Sequence, residues 1–461
     1  MRNRSKWLAL LLVLGLLVAA CGGGDGGETT TTASGGEETT TTAGAAGVTT
    51  TTAGEEPMGE VATDIGVDAE NQVLRVGYLS DLSGPFAALV GAINAGGELY
   101  FTQLNQSGGI DGWTVEMVVR DTGYDPEAHV QFYEELAADT VMIGQSTGSP
   151  QTVGILSQLA EDEVLAIPLT WYSGWTDETM NANLLHHGMP YCVEAHNLLG
   201  YITDNNEVST LAIATVGGDY GLDAAAGAAQ AAEALGLDVV YEGTGAIVQE
   251  AEGPANPDEI ANAIVAADPD VVFITGRPED TEPIYSLVVG QGLEAIWTGA
   301  FPSYSPRFIA PGSPIAEQAA RDFILSFYGT PWAAGNPGIT AFRDAVLAAG
   351  LPASEYFTEG ALEATIIHRV LETAIASGDL TQRGVLAAGK SLENVDLGGL
   401  GPNETYIGSM NDQLQRISNI VAPDPADLAA GGTGFALLAG DYTHQVVADY
   451  DFTGACYKLE G

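Results

Sequence analysis

From Val73 onward the chain alternates short, β-branched apolar runs with longer amphipathic ones, and this alternation constrains its fold more than any other feature. Val73–Leu79 reads as a strand, Phe86–Leu104 as a helix, Thr114–Arg120 as a strand and Pro126–Ala138 as a helix. Strand Val141–Gly144, helix Pro150–Glu161 and strand Val164–Pro168 complete a first series. A second opens near Cys192 with helix Cys192–Thr203, strand Thr210–Thr215, helix Asp219–Leu235 and strand Asp238–Glu242. It continues through helix Pro257–Ala267, strand Asp270–Thr275 and helix Glu282–Gly290. Strands alternating with helices build parallel sheets covered on both faces, so the pattern predicts an α/β chain of two doubly wound lobes. The length agrees, because about 390 residues lie beyond residue 70, more than one core usually organises. In such sheets a ligand lies beyond the C-terminal ends of the strands, so the loops leaving the strands are where binding residues are expected. Gly360–Ser377 reads as a long helix with a stripe through Leu362, Ile366, Val370 and Ile375, and from Gly398 the signals turn strand-like and loop-rich.

The first residues carry a different message. Arg2, Arg4 and Lys6 precede an apolar run from Trp7 to Ala20, too short to span a bilayer and typical of a secretory signal. Its ending, Leu17-Val18-Ala19-Ala20-Cys21, resembles the lipobox of bacterial lipoproteins. That resemblance implies a lipoprotein signal over residues 1–21, diacylation of Cys21, and a chain held on the outer face of the cytoplasmic membrane. An ordinary secreted protein is the alternative. Thr-Thr-Thr-Thr-Ala blocks follow at Thr29, Thr39 and Thr49 in a ground of Gly, Ala and Glu. With so little to bury, residues 22–70 are expected to form a disordered tether.

The balance of 61 acidic to 14 basic side chains gives a net charge of −47, or −50 once the signal's three basic residues are gone. That field repels nucleic acid and anionic lipid, so neither is expected as a partner. It equally serves as a solvated acidic surface and does not demand a cationic ligand. After lipidation two cysteines remain, Cys192 and Cys456, and in an exported chain they are candidates for one disulfide.

Several motifs together resemble the type I periplasmic binding proteins of the branched-chain amino acid group. They are Val76-Gly77-Tyr78-Leu79-Ser80-Asp81-Leu82-Ser83-Gly84-Pro85, Gly108-Gly109-Ile110-Asp111-Gly112, Arg120-Asp121-Thr122-Gly123-Tyr124-Asp125-Pro126 and Gly218-Asp219-Tyr220-Gly221. Their order holds from about Val73 to about Asp412. The resemblance implies two Rossmann-like lobes joined by a three-crossover hinge, closing over a small solute. It places residues 72–190 and about 325–410 in the first lobe, and 191–324 and about 411–461 in the second. It implies the substrate-binding component of an ABC importer, with a small amino acid, amide or carboxylate as solute and the permease as partner. No chemical step and no cofactor are expected. A ligand-sensing receptor subunit of the same fold is the alternative.

The loop Gly144-Gln145-Ser146-Thr147-Gly148-Ser149-Pro150 leaves a strand and enters a helix, where hydroxyls and backbone amides suit a carboxylate. In the family this loop holds the ligand's α-carboxylate, which the resemblance assigns here to Ser149 and Thr147, beside Ser146 and Gly148. Ser83, the segment Leu169-Thr170-Trp171, and Tyr220 complete the family-like lining. The departures point elsewhere. Where the family carries an acid for the α-ammonium this chain has Thr298-Gly299-Ala300-Phe301-Pro302. Leu89 stands near a family aromatic, and Arg277 near a family tyrosine. Arg277 would favour an anionic or carbonyl-bearing ligand, and the missing acid speaks against a zwitterionic α-amino acid unless Glu279 or Asp280 compensates.

Two other readings share these residues. Gly144–Gly148 satisfies Gly-x-Ser-x-Gly, so a serine hydrolase would use Ser146 with His368 or His444. His186, His187, Cys192 and His196 form a small cluster, but their spacing matches no standard zinc pattern and no metal is expected. No Walker loop is present, and no Gly-x-Gly-x-x-Gly follows a strand, so a nucleotide is not indicated.

Overall fold

The computed structural model describes residues 61–250 and 253–459. The signal, Cys21 and nearly all of the tether lie outside the described residues. The first series folds as β1 (Val73–Ser80), α1 (Ala87–Gln106), β2 (Thr114–Asp121), α2 (Pro126–Ala137), β3 (Met142–Thr147), α3 (Ser149–Asp162) and β4 (Ala166–Leu169). These strands form a parallel sheet in the order β2-β1-β3-β4. The chain then enters α4 (Tyr191–Asn205) and a second series, β5 (Thr210–Val216), α5 (Gly218–Leu235), β6 (Asp238–Ile247), α6 (Pro257–Ala267), β7 (Val271–Thr275), α7 (Pro278–Gly290) and β8 (Ile296–Thr298). That sheet is also parallel, in the order β8-β7-β5-β6. The expected doubly wound α/β architecture is present.

Each sheet has its own apolar core. Leu74, Val76, Tyr78 and Ile367 belong to one, and Ala212, Val272, Ile274 and Trp297 to the other. Helix α4 serves both, with Cys192 and Val193 packed in the first lobe and Ala195, Leu199 and Ile202 in the second. The return crossing is as sharp. On β9 (Leu325–Phe327) Phe327 packs in the second core, and the next residue, Tyr328, packs in the first. A long helix, α8 (Tyr356–Ser377), then lies on α1. Strands β10 (Ser418–Pro423) and β11 (Phe435–Tyr442) join β9 in a small antiparallel sheet.

Two boundaries move. Ala62–Thr63 pairs with Asp379–Leu380, and Val67–Asp68 pairs with Leu74 and Val73, so the folded body starts before residue 70. The tail from Val447 returns to the first lobe, where Val447, Phe452, Ala455 and Leu459 pack. A disulfide between Cys192 and Cys456 fastens it to α4. Asp223 on α5 strengthens the junction by accepting from the Ser173 hydroxyl at 2.5 Å, the Cys192 amide at 3.3 Å and the Tyr457 amide at 3.3 Å.

Candidate ligand-binding cleft

The loops at the C-terminal ends of both parallel sheets face one another. Asp81, at the end of β1, accepts from the Gly84 and Phe86 amides at 2.6 and 2.8 Å, which folds the loop that brings Phe86 and Leu89 to the cleft. At the end of β3, Gly148 has φ 95°, and a Cβ there would meet the Gln151 side chain at 2.2 Å, so only glycine fits the turn into α3. Leu169, Thr170 and Trp171 follow β4. From the second lobe come Asp219 and Tyr220 after β5, Arg277 after β7, and Phe301 and Pro302 after β8.

These loops enclose adjoining cavities. An inner one of about 40 Å³ is lined by Leu89, Thr147, Gly148, Thr170, Asp219 and Tyr220, among others. A second, of about 30 Å³, shares Trp171, Tyr191 and Pro302 with it. An outer cavity of about 590 Å³ shares Phe86, Leu89 and Pro302 with the first and contains Arg277. Each inner volume holds only a few waters' worth of space, so the two lobes stand in a closed arrangement. Aromatic rings bridge them, Phe86 to Tyr220 at 6.5 Å and Phe301 to Tyr356 at 5.5 Å between centroids. Tyr220 is fixed by donating to the Gly276 carbonyl at 3.0 Å and by the Ser303 hydroxyl at 3.1 Å, and it packs on Tyr191 at 4.8 Å.

Most of the expected lining residues meet here: Leu89, Thr147, Gly148, Leu169, Thr170, Trp171 and Tyr220, with Phe301 at the other two cavities. Ser149 stands one layer back, its hydroxyl 2.6 Å from that of Thr170, which it orients. Ser83 is exposed and outside the cavities; its hydroxyl supports Asp121 instead. Ser146 is also misplaced by the sequence reading. An irregularity in the β1–β3 pairing between Gly77 and Tyr78 resets the alternation, and Ser146 points into the first lobe toward α2 and α3. There it is fully buried, 3.0 Å from His129 Nε2 and 2.8 Å from Thr152 Oγ1.

Arg277 reaches the outer cavity with its charge already answered. It caps α7, donating to both Asp280 carboxylate oxygens at 2.9 and 2.8 Å and to the Glu250 carbonyl at 2.6 Å. Asp280, three residues on and fully buried, thus already balances the charge that would draw an anion to the cleft.

Sequence reasoning missed the acids. Asp219 precedes Tyr220 in Gly218-Asp219-Tyr220-Gly221, a motif that by sequence points to the tyrosine alone. Burial raises the Asp219 carboxyl, opposed by the Ser149 hydroxyl and nearby backbone amides. Glu194 and Glu359 line the second inner cavity and are 4% and 3% exposed, and burial pushes both up to about 8. Their signals lay in no loop motif: one opens the hinge helix and the other begins α8.

The rival chemistries do not assemble. His368 Nδ1 is 2.8 Å from the Tyr100 hydroxyl, and His444 caps the helix Gln445–Ala448, so neither serves Ser146. Cys192 is oxidised, His196 Nδ1 lies 2.7 Å from the Cys192 carbonyl, and among the described residues no three His, Cys, Asp or Glu side chains converge as a metal site.

Comparisons with known proteins agree with the fold. The chain is 28% identical over 347 residues to the chemotactic signal transduction system substrate-binding protein BasB of Halobacterium salinarum, covering 72% of this chain and 77% of that protein. It resembles the fatty acid ABC transporter substrate-binding protein from Thermomonospora curvata, with a TM-score of 0.74 and 26% identity over 85% of this chain and 97% of that one. It also shares the fold of a branched-chain amino acid ABC transporter protein from Thermus thermophilus solved with valine, with a TM-score of 0.69 at 19% identity, covering 82% and 98% of the two chains. A family model described as periplasmic binding protein matches residues 73–417, well over half the chain, and the protein belongs to the type I periplasmic binding protein family.

Proposed function

We propose that this protein is the extracytoplasmic substrate-binding component of an ABC importer, closing over a small solute with an apolar body and a polar end. One observation carries the reading. Thr147, Thr170 and the Ser149 behind it come from one lobe, Asp219 and Tyr220 from the other, and they meet around a single cavity roofed by aromatic rings. Such a cavity completes itself only when the lobes close, so the solute selects the closed form and the permease reads it. No residue performs a chemical step. The N-terminal segment, in this reading, is a lipoprotein signal and tether that anchors the body through Cys21. Radiolabelled palmitate on the wild-type chain and none on a Cys21→Ala chain is the expected result, and an unlabelled wild type would remove the anchor.

Thermal unfolding against amino acids, amides, small acids and amines tests the reading, paired with solution scattering. A true solute at about 100 times its dissociation constant stabilises by about 2.7 kcal/mol and shrinks the radius of gyration. Identical dimensions with and without a stabilising solute would sink the clamshell mechanism. The likeness to a chemotactic substrate-binding protein supports a second reading, in which the closed form addresses a receptor instead. Co-purification with a permease or with a receptor separates the two.

A further inference from the structure

We propose that the second inner cavity is a cation site, in which the carboxyls of Glu194 and Glu359 and a ring of aromatic faces hold a positively charged nitrogen of the solute. The inference rests on the solute-binding reading and deepens it: the solute is an amine or quaternary ammonium compound.

The cavity walls are Trp171, Tyr191, Phe301, Tyr328 and Tyr356, with the two glutamates set among them. Glu194 Oε1 accepts from the Phe301 amide and the Ser326 hydroxyl, both at 2.9 Å. Glu359 is different. Its Oε2 is buried and has no hydrogen-bond partner in the protein, although the residue is only 3% exposed. A buried carboxyl oxygen without a partner is costly, and among the described residues neither glutamate has a cation within ion-pair distance.

The arginines at the neighbouring outer cavity cannot supply that charge. Arg277 is paired with Asp280, and Arg307 with Glu279 and Glu282. Asp219 adds another carboxyl to the adjoining cavity. The groups facing Glu359 are acids as well, Glu355 at the N-terminal cap of its helix, Glu404, and Glu194 across the cavity, and each raises it further. An anion entering here would meet acids and the negative faces of aromatic rings. A cation meets attraction from both. As it enters, Glu359, whose Oε2 has no partner, releases one proton and ionises, so one positive charge replaces another and charge stays balanced in the chamber. The volume of about 30 Å³ matches a primary ammonium group, a quaternary head requiring the chamber to widen, and the shared Trp171, Tyr191 and Pro302 lead from it to the Thr147 and Thr170 hydroxyls, where the rest of the solute would lie.

The test uses the full mature chain and five probes: isobutylammonium, choline, valine, isovalerate, and 3,3-dimethylbutan-1-ol, the uncharged isostere of choline. Thermal unfolding and scattering are read for each, and calorimetry in two buffers of different ionisation heat reads proton release. Stabilisation and compaction by at least one of the cations, with release of protons and no effect of the neutral isostere, is the expected result. A response to isobutylammonium identifies a primary ammonium and a response to choline a quaternary one, whereas a response to valine alone overturns the assignment of the solute as an amine and leaves the solute-binding reading intact. Glu359→Gln weakens that cation by about tenfold or more and abolishes proton release, as expected for the loss of a charge-assisted contact. Glu363→Gln, a buried carboxyl on the same helix outside the cavity, leaves both unchanged. Should Glu359→Gln fail to fold, Glu194→Gln decides by the loss of cation affinity, with proton release from Glu359 retained. Equal stabilisation by the neutral isostere, or an unchanged cation affinity in the glutamine variant, overturns the cation site. Stabilisation and compaction by isovalerate alone overturns it while leaving the solute-binding reading intact. Silence from all probes in both readouts counts against both.

Discussion

Glu194, Glu355 and Glu359 lie inside the protein, and burial pushes each from 4.5 up to about 8. A carboxyl raised in this way keeps a proton that the unfolded chain has already lost. Its stabilising share is complete below pH 4.5 and disappears as pH rises through about 8. Buried histidines act in the opposite direction. His186 and His187 are lowered from 6.5 to about 3 and about 4, so their share is complete above 6.5 and lost below it. Between pH 6.5 and 8 the carboxyls therefore act without that opposition, and unfolding free energy should fall by about 1.4 kcal/mol per pH unit for each one. Denaturant titrations across that window should show the decline, and Glu359→Gln should remove one carboxyl's share of it. A profile flat across the window would show that these groups are already ionised in the folded protein. Arg277 teaches the complementary lesson, since an arginine at a cleft offers a ligand only the charge that its neighbours leave unanswered.

Between α1 and α8 the contact is set by small residues. A Cβ at Gly360 would stand 1.8 Å from the Ile93 carbonyl oxygen, and one at Gly96 would stand 2.2 Å from that of Phe357. Gly91, on the same α1, has open space around it. Gly360→Ala should therefore force the helices apart and cost about 1–3 kcal/mol or more, whereas Gly91→Ala should stabilise by up to about 1 kcal/mol. Equal effects in chemical denaturation would refute the close approach. At this scale the sequence was most legible. Helix Pro257–Ala267 and strand Thr114–Arg120 were placed within a residue, because proline, burial and β-branching mark their ends. Less legible were Ala62–Thr63, Val67–Asp68 and β9, strands of two or three residues that exist through their partners and carry no period of their own. The cleft was half legible for a related reason. Loops that leave strands could be found, but which residue of a loop faces the cavity depends on a pairing irregularity at Gly77, and that decided Thr147 against Ser146. Glu194 and Glu359 are 165 positions apart and meet only through the hinge and α8.

Taken whole, the molecule is two cores that share α4, with the tail held against that helix by Cys192–Cys456. Cys456→Ser should lower stability by about 2–5 kcal/mol, since the bond closes a long loop. It should also loosen the junction at Asp223, seen as faster hydrogen exchange in the first turn of α4. A variant as stable and as protected as the parent would deny the bond any structural part. The cysteines are separated by 264 positions. During synthesis the helix on which both lobes turn is thus made long before the residue that clasps it. Until that later stretch arrives the Cys192 thiol waits unpaired, open to the wrong partner. Maturation of the hinge is in this sense the last step in the chain's assembly, and an oxidant that acts too early would find only half of the bond.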